Sequence, residues 1–146
     1  MFKTSLKNNL VSVCAICAVI LVDVVAKKIV KSCLVGKSLG GNFLMFGNFP
    51  NDKGLFGLVS LTPAVVVSVV VFAFILHLFF HADVVEEKIS LSLILGGGIS
   101  NFSERLLFGR VTDIVAIGNF GVMNMADVAI FVGMVWYVYL LIKKYK

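Results

Sequence analysis

Between Gly96 and Asp127 the sequence GGGISNFSERLLFGRVTDIVAIGNFGVMNMAD sets Asp113 and Asp127, with Asn101, Arg105 and Asn124, inside otherwise strongly apolar sequence. Ionisable groups in such surroundings are expensive, so they face a packed interior or a watery cavity and mark a site. Two aspartates brought close together cannot both ionise: one keeps a proton near neutral pH while the other can deprotonate a water. Such a pair can hydrolyse an amide, the ionised carboxylate acting as general base toward water and the protonated one polarising the carbonyl. Asn101, Asn124 and Arg105 carry the donors that could hold the pair or a substrate backbone. The sequence offers no Ser/His pair, no plausible nucleophilic cysteine and no clustered metal ligands, which leaves acid–base work as the chemistry to expect.

The elements that position these groups belong in a bilayer. A chain of 146 residues that is 60% hydrophobic and 14% charged, with a mean hydropathy of +1.03, is too apolar for a soluble globular domain. A membrane helix needs about 20 apolar residues, so residues 1–146 have room for one integral-membrane domain of about four spans. The net charge of +5 comes from 13 scattered basic residues, which suit membrane flanks and predict no nucleic-acid partner. Cys14, Cys17 and Cys33 are an odd set, and the CxxC has no matching pair, so they are expected as small core residues rather than a metal or redox site. Lys3 and Lys7 before an apolar run imitate a signal peptide, but no small-residue cleavage motif follows; a retained first helix is expected.

In chain order, spans are expected over about 11–30, 57–80, 88–108 and 120–142. Asp23 and Lys27 stand four apart on one face of the first and can pair. Residues 32–56 are punctuated by glycine, asparagine and Pro50 between short aromatic pieces, which predicts a small interfacial sheet or loop. Phe43, Phe46, Phe49 and Phe56 would dip from it toward lipid. His77 and His81, near the end of the second span, read as interfacial groups rather than metal ligands. In the third span Gly96, Gly97 and Gly98 permit close helix approach, and Gly97, Asn101 and Arg105 share a face. A buried Arg105–Glu104 pair would be the purely structural use of that helix. The passage 109–121 reads as a short non-helical link able to fold Asp113 back over Asp127, which would lie about 10 Å inside the fourth helix. Basic termini favour both ends in the cytoplasm, although Lys27, Lys28, Lys31, Lys37 and Lys53 make the first loop basic too.

Three functions are compatible with these residues alone. Besides a membrane protease, a proton-coupled transporter could load and release its ion on Asp113 and Asp127; against it stands the lack of an internal repeat. A non-enzymatic assembly subunit could use the glycine-rich third helix as a docking face.

The arrangement of motifs resembles the lipoprotein signal peptidases, or signal peptidase II, four-span aspartyl proteases. The family's DxxxK stands at Asp23–Lys27, its NxGxxF as NDKGLF at 51–56, and its GGxxGNxxDR as GGGISNFSER. Its GxVxDF stands as GRVTDI with Asp113, and its FNxAD as MNMAD with Asp127. Departures are Ser100 for glycine, Glu104 for aspartate, Ile114 and Met123 for phenylalanine, and a loop Gly54 three rather than two residues after Asn51. The resemblance implies an all-α membrane protein of four transmembrane helices with a small interfacial β/loop subdomain between helices 1 and 2. It implies cleavage of prolipoproteins just before a diacylglyceryl-modified cysteine at the outer face of the bacterial cytoplasmic membrane. Membrane lipids would surround a monomer that needs no metal or cofactor and is inhibited by globomycin. By motif, Asp113 and Asp127 are the catalytic pair, and Asn101, Arg105, Asn124 and Ala126 line or support the site. Asp23, Lys27, Asn51 and Gly54 would shape its rim. Apart from the resemblance, the interfacial position of loop 32–56 predicts a lid that clamps the peptide from the water side.

Overall fold

The computed structural model describes residues 2–39, 43–51, 61–119 and 121–146. Helix α1, Phe2–Ile29, ends in a π-helical turn, Val30–Leu34, and leads into strands β1, Ser38–Leu39, and β2, Leu44–Asn51. Helices α2, Leu61–His81, and α3, Val85–Phe108, follow. Strands β3, Val111–Ile117, and β4, Gly121–Met123, then precede helix α4, Met125–Lys144.

Helix α3 is the hub, packed against α1, α2 and α4. Its glycines divide the labour. A Cβ on Gly96 would stand 2.9 Å from Val19 Cβ of α1, and one on Gly97 would collide with the Ala126 carbonyl of α4. Among the described residues Gly98 meets nothing within 4 Å, so two of the three glycines show a packing reason there. Gly133 returns the contact from α4, where a Cβ would lie 2.6 Å from the Ser90 carbonyl. Such small residues let backbones approach closely where no hydrophobic force drives helices together.

The distribution of polarity is inverted relative to a protein that folds in water. Asp23, Lys27, Glu87, Ser90, Asn101 and Asp113 are buried, whereas Leu21, Val70, Phe74, Phe131 and Tyr139 are exposed. Among the described residues every buried side-chain nitrogen or oxygen has a hydrogen-bond partner, which removes the main cost of that burial. Among the described residues two segments, Asn9–Leu34 and Met125–Lys144, are long and apolar enough to cross a membrane. Cys14, Cys17 and Cys33 are exposed rather than core residues, because the apolar positions of α1 face outward. At the far end from the sheet, Lys88 donates to Asn9 Oδ1 at 2.9 Å and Lys144 pairs with the buried Glu87 at 3.4 Å.

The expected small sheet is present but reaches further along the chain than expected. Its four antiparallel strands run in the order β1-β2-β3-β4, so it joins the 32–56 region to the 109–121 passage instead of lying only between helices 1 and 2. Leu44 faces Ile117 and Asn51 faces Val111, with an irregularity between Phe46 and Phe49. The passage after α3 forms a strand because VTDIVAI is rich in β-branched residues. Gly109, at a φ of 68°, makes the left-handed turn out of α3. Helix α4 also begins later than expected, at Met125, since β4 occupies 121–123 and Asn124 caps the helix. His81 Nδ1 sits 2.8 Å from the His77 carbonyl within α2. Gly54, Phe56 and the rest of the NDKGLF motif after Asn51 lie outside the described residues.

Candidate active site

The N-terminus of α4 is the floor of the site. A helix start leaves its first N–H groups without intrahelical partners, and two polar side chains supply them here. Asn124 is the N-cap: its side-chain oxygen accepts the Asp127 N–H at 2.9 Å, while Asp127 Oδ2 accepts the Asn124 N–H at 3.2 Å. This reciprocal capping box sets Asp127 in the first turn rather than 10 Å along the helix. The Ala126 N–H is taken by Asp23 Oδ1, from α1, at 3.0 Å. Ala126 is fully buried, and its carbonyl is the atom Gly97 approaches, so that contact requires glycine at 97.

Asparagine amides join the two aspartates into one network. Asn124 Nδ2 donates to Asp113 Oδ1 at 2.9 Å and to Asn101 Oδ1 at 3.1 Å. Asn101 Nδ2 then donates to Asp127 Oδ1 at 2.8 Å. From β2, Asn51 Nδ2 reaches Asp113 Oδ2 at 3.1 Å, a diagonal cross-strand contact in the observed register. Two of these partners come from helix termini or strands and one, Asn101, from the helix that Gly97 brings close. Burial is the largest influence on the Asp113 carboxyl and holds it above the ordinary aspartate value. The Asn51 amide opposes that rise, the Asp127 charge reinforces it, and Asn124 and Lys27 oppose it.

A second network anchors the first. Lys27 Nζ lies 2.7 Å from Asp23 Oδ2 and 2.9 Å from Glu104 Oε2, with Lys27 and Asp23 both buried. Ser100 Oγ donates to Asp23 Oδ2 at 2.7 Å, and Glu104 Oε2 also accepts the Thr112 N–H at 2.8 Å, next to Asp113. Asp23 therefore fastens α1 to α3 and to the first turn of α4.

The structure thus brings Asp23, Lys27, Asn51, Asn101, Asp113, Asn124, Ala126 and Asp127 into two connected networks. Arg105 does not join them: among the described residues it makes no ion pair, and Glu104 pairs with Lys27 instead. The Arg105–Glu104 pairing expected from adjacency fails because α1 crosses α3 at Glu104. Sequence reasoning missed Glu104 as a bridge and Ser100 as a hydrogen-bond donor. The capping box was legible as Asn124 and Asp127 three apart. No group of three or more His, Cys, Asp or Glu among the described residues is placed to hold a metal ion.

The profile of the signal peptidase (SPase) II family matches residues 15–143. The chain belongs to that family. A lipoprotein signal peptidase of Caldicellulosiruptor bescii is 32% identical over 109 residues, 73% of each chain. One from Dehalococcoides mccartyi is 43% identical over 51 residues, where the match spans 35% of this chain and about a third, 32%, of the relative. A bacterial membrane enzyme solved by the in meso method at 2.3 Å resolution shares the fold, with a TM-score of 0.77 at 23% identity. That likeness covers 93% of this chain and 90% of the other.

Proposed function

We propose that the protein is a membrane aspartyl endopeptidase that removes signal peptides from prolipoproteins, cutting before a diacylglyceryl-modified cysteine. The observation that carries this reading is the joining of Asp113 and Asp127 through Asn124 and Asn101. That network gives two carboxyl groups fixed positions at the polar end of an otherwise apolar helix bundle. Membership of a family of lipoprotein-processing proteases supports it.

In the proposed reaction the dyad holds one proton. The ionised carboxylate takes a proton from a water, whose oxygen bonds to the scissile carbonyl carbon as the other carboxyl gives its proton to the carbonyl oxygen. The tetrahedral intermediate then collapses: a dyad proton passes to the nitrogen, the C–N bond breaks and the cysteine amine leaves. The carbonyl oxygen returns its proton, and the dyad is again singly protonated. Asn101 and Asn124 keep the carboxyls oriented, and Asn51 steadies Asp113 from the sheet. Arg105 is proposed to contact substrate rather than the dyad, and Gly54 to shape the rim of the site.

The proposed topology has α1, α2, α3 and α4 crossing the bacterial cytoplasmic membrane with both termini in the cytoplasm. The sheet and the dyad then lie near the outer face, where a lipid-anchored substrate arrives laterally within the bilayer. The enzyme would act as a monomer without metal or cofactor and would be blocked by globomycin. Incubation of the purified protein with a diacylglyceryl-modified prolipoprotein tests the proposal: mass spectrometry should find a new N-terminal lipidated cysteine. An uncut substrate in the presence of folded protein would refute it.

A further inference from the structure

Beside the dyad, an open cavity of about 410 Å³ is lined by Val24, Lys27, Lys28, Lys31, Ser32 and Glu104. The geometry points to a binding site for a phosphate group there, and the surroundings favour the headgroup of an anionic phospholipid as its source.

Charge is the first ground. Three lysines and one carboxylate line the cavity, and that carboxylate is already shared by Lys27 and the Thr112 N–H. Lys27 is already balanced by Asp23 and Glu104, so the charge that calls for an anion comes from Lys28 and Lys31, the lining lysines without an ion pair among the described residues. Among the described residues Lys31 makes a 3.4 Å contact to Thr112 Oγ1 and no ion pair. Backbone geometry is the second ground: α1 passes into a π-helical turn at Val30–Leu34, and π-bulges are frequent at functional sites. The turn sets Lys31 and Ser32 on the cavity wall, with the Ser32 hydroxyl donating back to the Lys28 carbonyl at 2.8 Å.

Position is the third ground. Val24, Val25 and Ile29 are exposed around the lysines on α1, as are Leu106, Leu107 and Phe108 just beyond Glu104 on α3. The cavity therefore lies where an apolar surface gives way to cationic groups, the level of lipid phosphates beside a spanning helix. Its neighbour on the sheet is Thr112, so occupancy would also brace the start of β3, one residue before Asp113.

The test is lipid retention by the intact protein in native mass spectrometry, with dioleoyl-phosphatidylglycerol compared against dioleoyl-phosphatidylcholine. Wild type is compared with Lys28→Gln/Lys31→Gln and with a tail control, Lys143→Gln/Lys146→Gln, all checked for folding by thermal melts. At about 1 kcal/mol per lysine near an anionic lipid, the first pair should lose on the order of thirtyfold in phosphatidylglycerol affinity and the tail control should lose none. A parallel titration with inorganic phosphate separates the sources: Lys28- and Lys31-dependent binding of phosphate without a phosphatidylglycerol preference would keep the site and assign it to a free anion. If neither probe depends on Lys28 and Lys31, or if both lysine pairs lower retention equally, the site is refuted.

Discussion

Asn124 and Asp127 hold each other at the start of α4: the Asn124 side-chain oxygen accepts the Asp127 N–H at 2.9 Å, and Asp127 returns the bond to the Asn124 N–H at 3.2 Å. Because Asn124 also donates to Asp113 and Asn101, one amide both starts the helix and spaces the two acids. Asn124→Asp separates these jobs. An aspartate still caps the helix, so the melting temperature should stay close to wild type, but it cannot donate to Asp113 and adds a third carboxylate. Cleavage should fall by orders of magnitude. Asn124→Ala should lose the same activity and also about 1 kcal/mol of stability from the missing cap. Near-wild-type cleavage by Asn124→Asp would contradict the spacing role.

Gly97 and Gly98 make a matched pair of tests. Alanine at 97 would drive its Cβ into the Ala126 carbonyl and to 2.7 Å from Ile130 Cγ1, an overpacking that costs about 1–3 kcal/mol. Relief requires α3 and α4 to separate, which stretches the Asn101–Asp127 bond one turn away, so activity should drop more than stability. Alanine at 98 has open space and should be neutral or stabilise by up to about 1 kcal/mol. Melts and cleavage rates of the two variants, measured side by side, check the contrast.

The anchor beneath the dyad predicts a strong stability effect. Lys27→Met would leave Asp23 and Glu104 without their shared cation, and stripping one partner from a buried ion pair costs about 3–5 kcal/mol. Ser100→Gly removes one donor from Asp23 and should cost about 1–3 kcal/mol. Thermal melts that rank the two in the opposite order would contradict the central place given to Lys27.

The Asp113 carboxyl fixes the sign of a pH effect. A carboxyl raised by burial in the folded state contributes stability that is complete below its unfolded value and is lost as pH rises through its folded value. Asp113→Asn removes that loss, with Asn51 free to turn its carbonyl toward the new amide. The variant should melt above wild type at neutral pH, and the gain should vanish as pH falls toward about 4. In the wild type, the shared proton should persist above the ordinary aspartate range, so cleavage should decline only at a correspondingly higher pH. Melts of both proteins across that pH range, with a wild-type cleavage profile, provide the check.

Local spacing made part of this architecture legible. Asp23 and Lys27, four apart, pair as helix geometry requires, and the mid-helix glycines announced close packing that Gly96 and Gly97 provide. Residues 111–117 are rich in β-branched residues but do not alternate, so the sequence reads only as a non-helical link; their partner β2 is 60 or more residues away in sequence, and pairing of that range leaves no local trace. The same holds for Glu104, whose neighbour in sequence is Arg105 but whose partner in space is Lys27. Asp127 was expected one to two turns deeper because hydropathy cannot distinguish a short apolar strand such as β4 from the first turn of a helix.

The most direct measurement is cleavage of a diacylglyceryl-modified prolipoprotein by purified wild type, Asp113→Asn and Asp127→Asn in detergent, each accompanied by a thermal melt. The account predicts that wild type cuts, that both variants fold, Asp127→Asn melting slightly lower for want of one acceptor, and that neither cuts. A folded variant retaining wild-type cleavage would contradict the dyad.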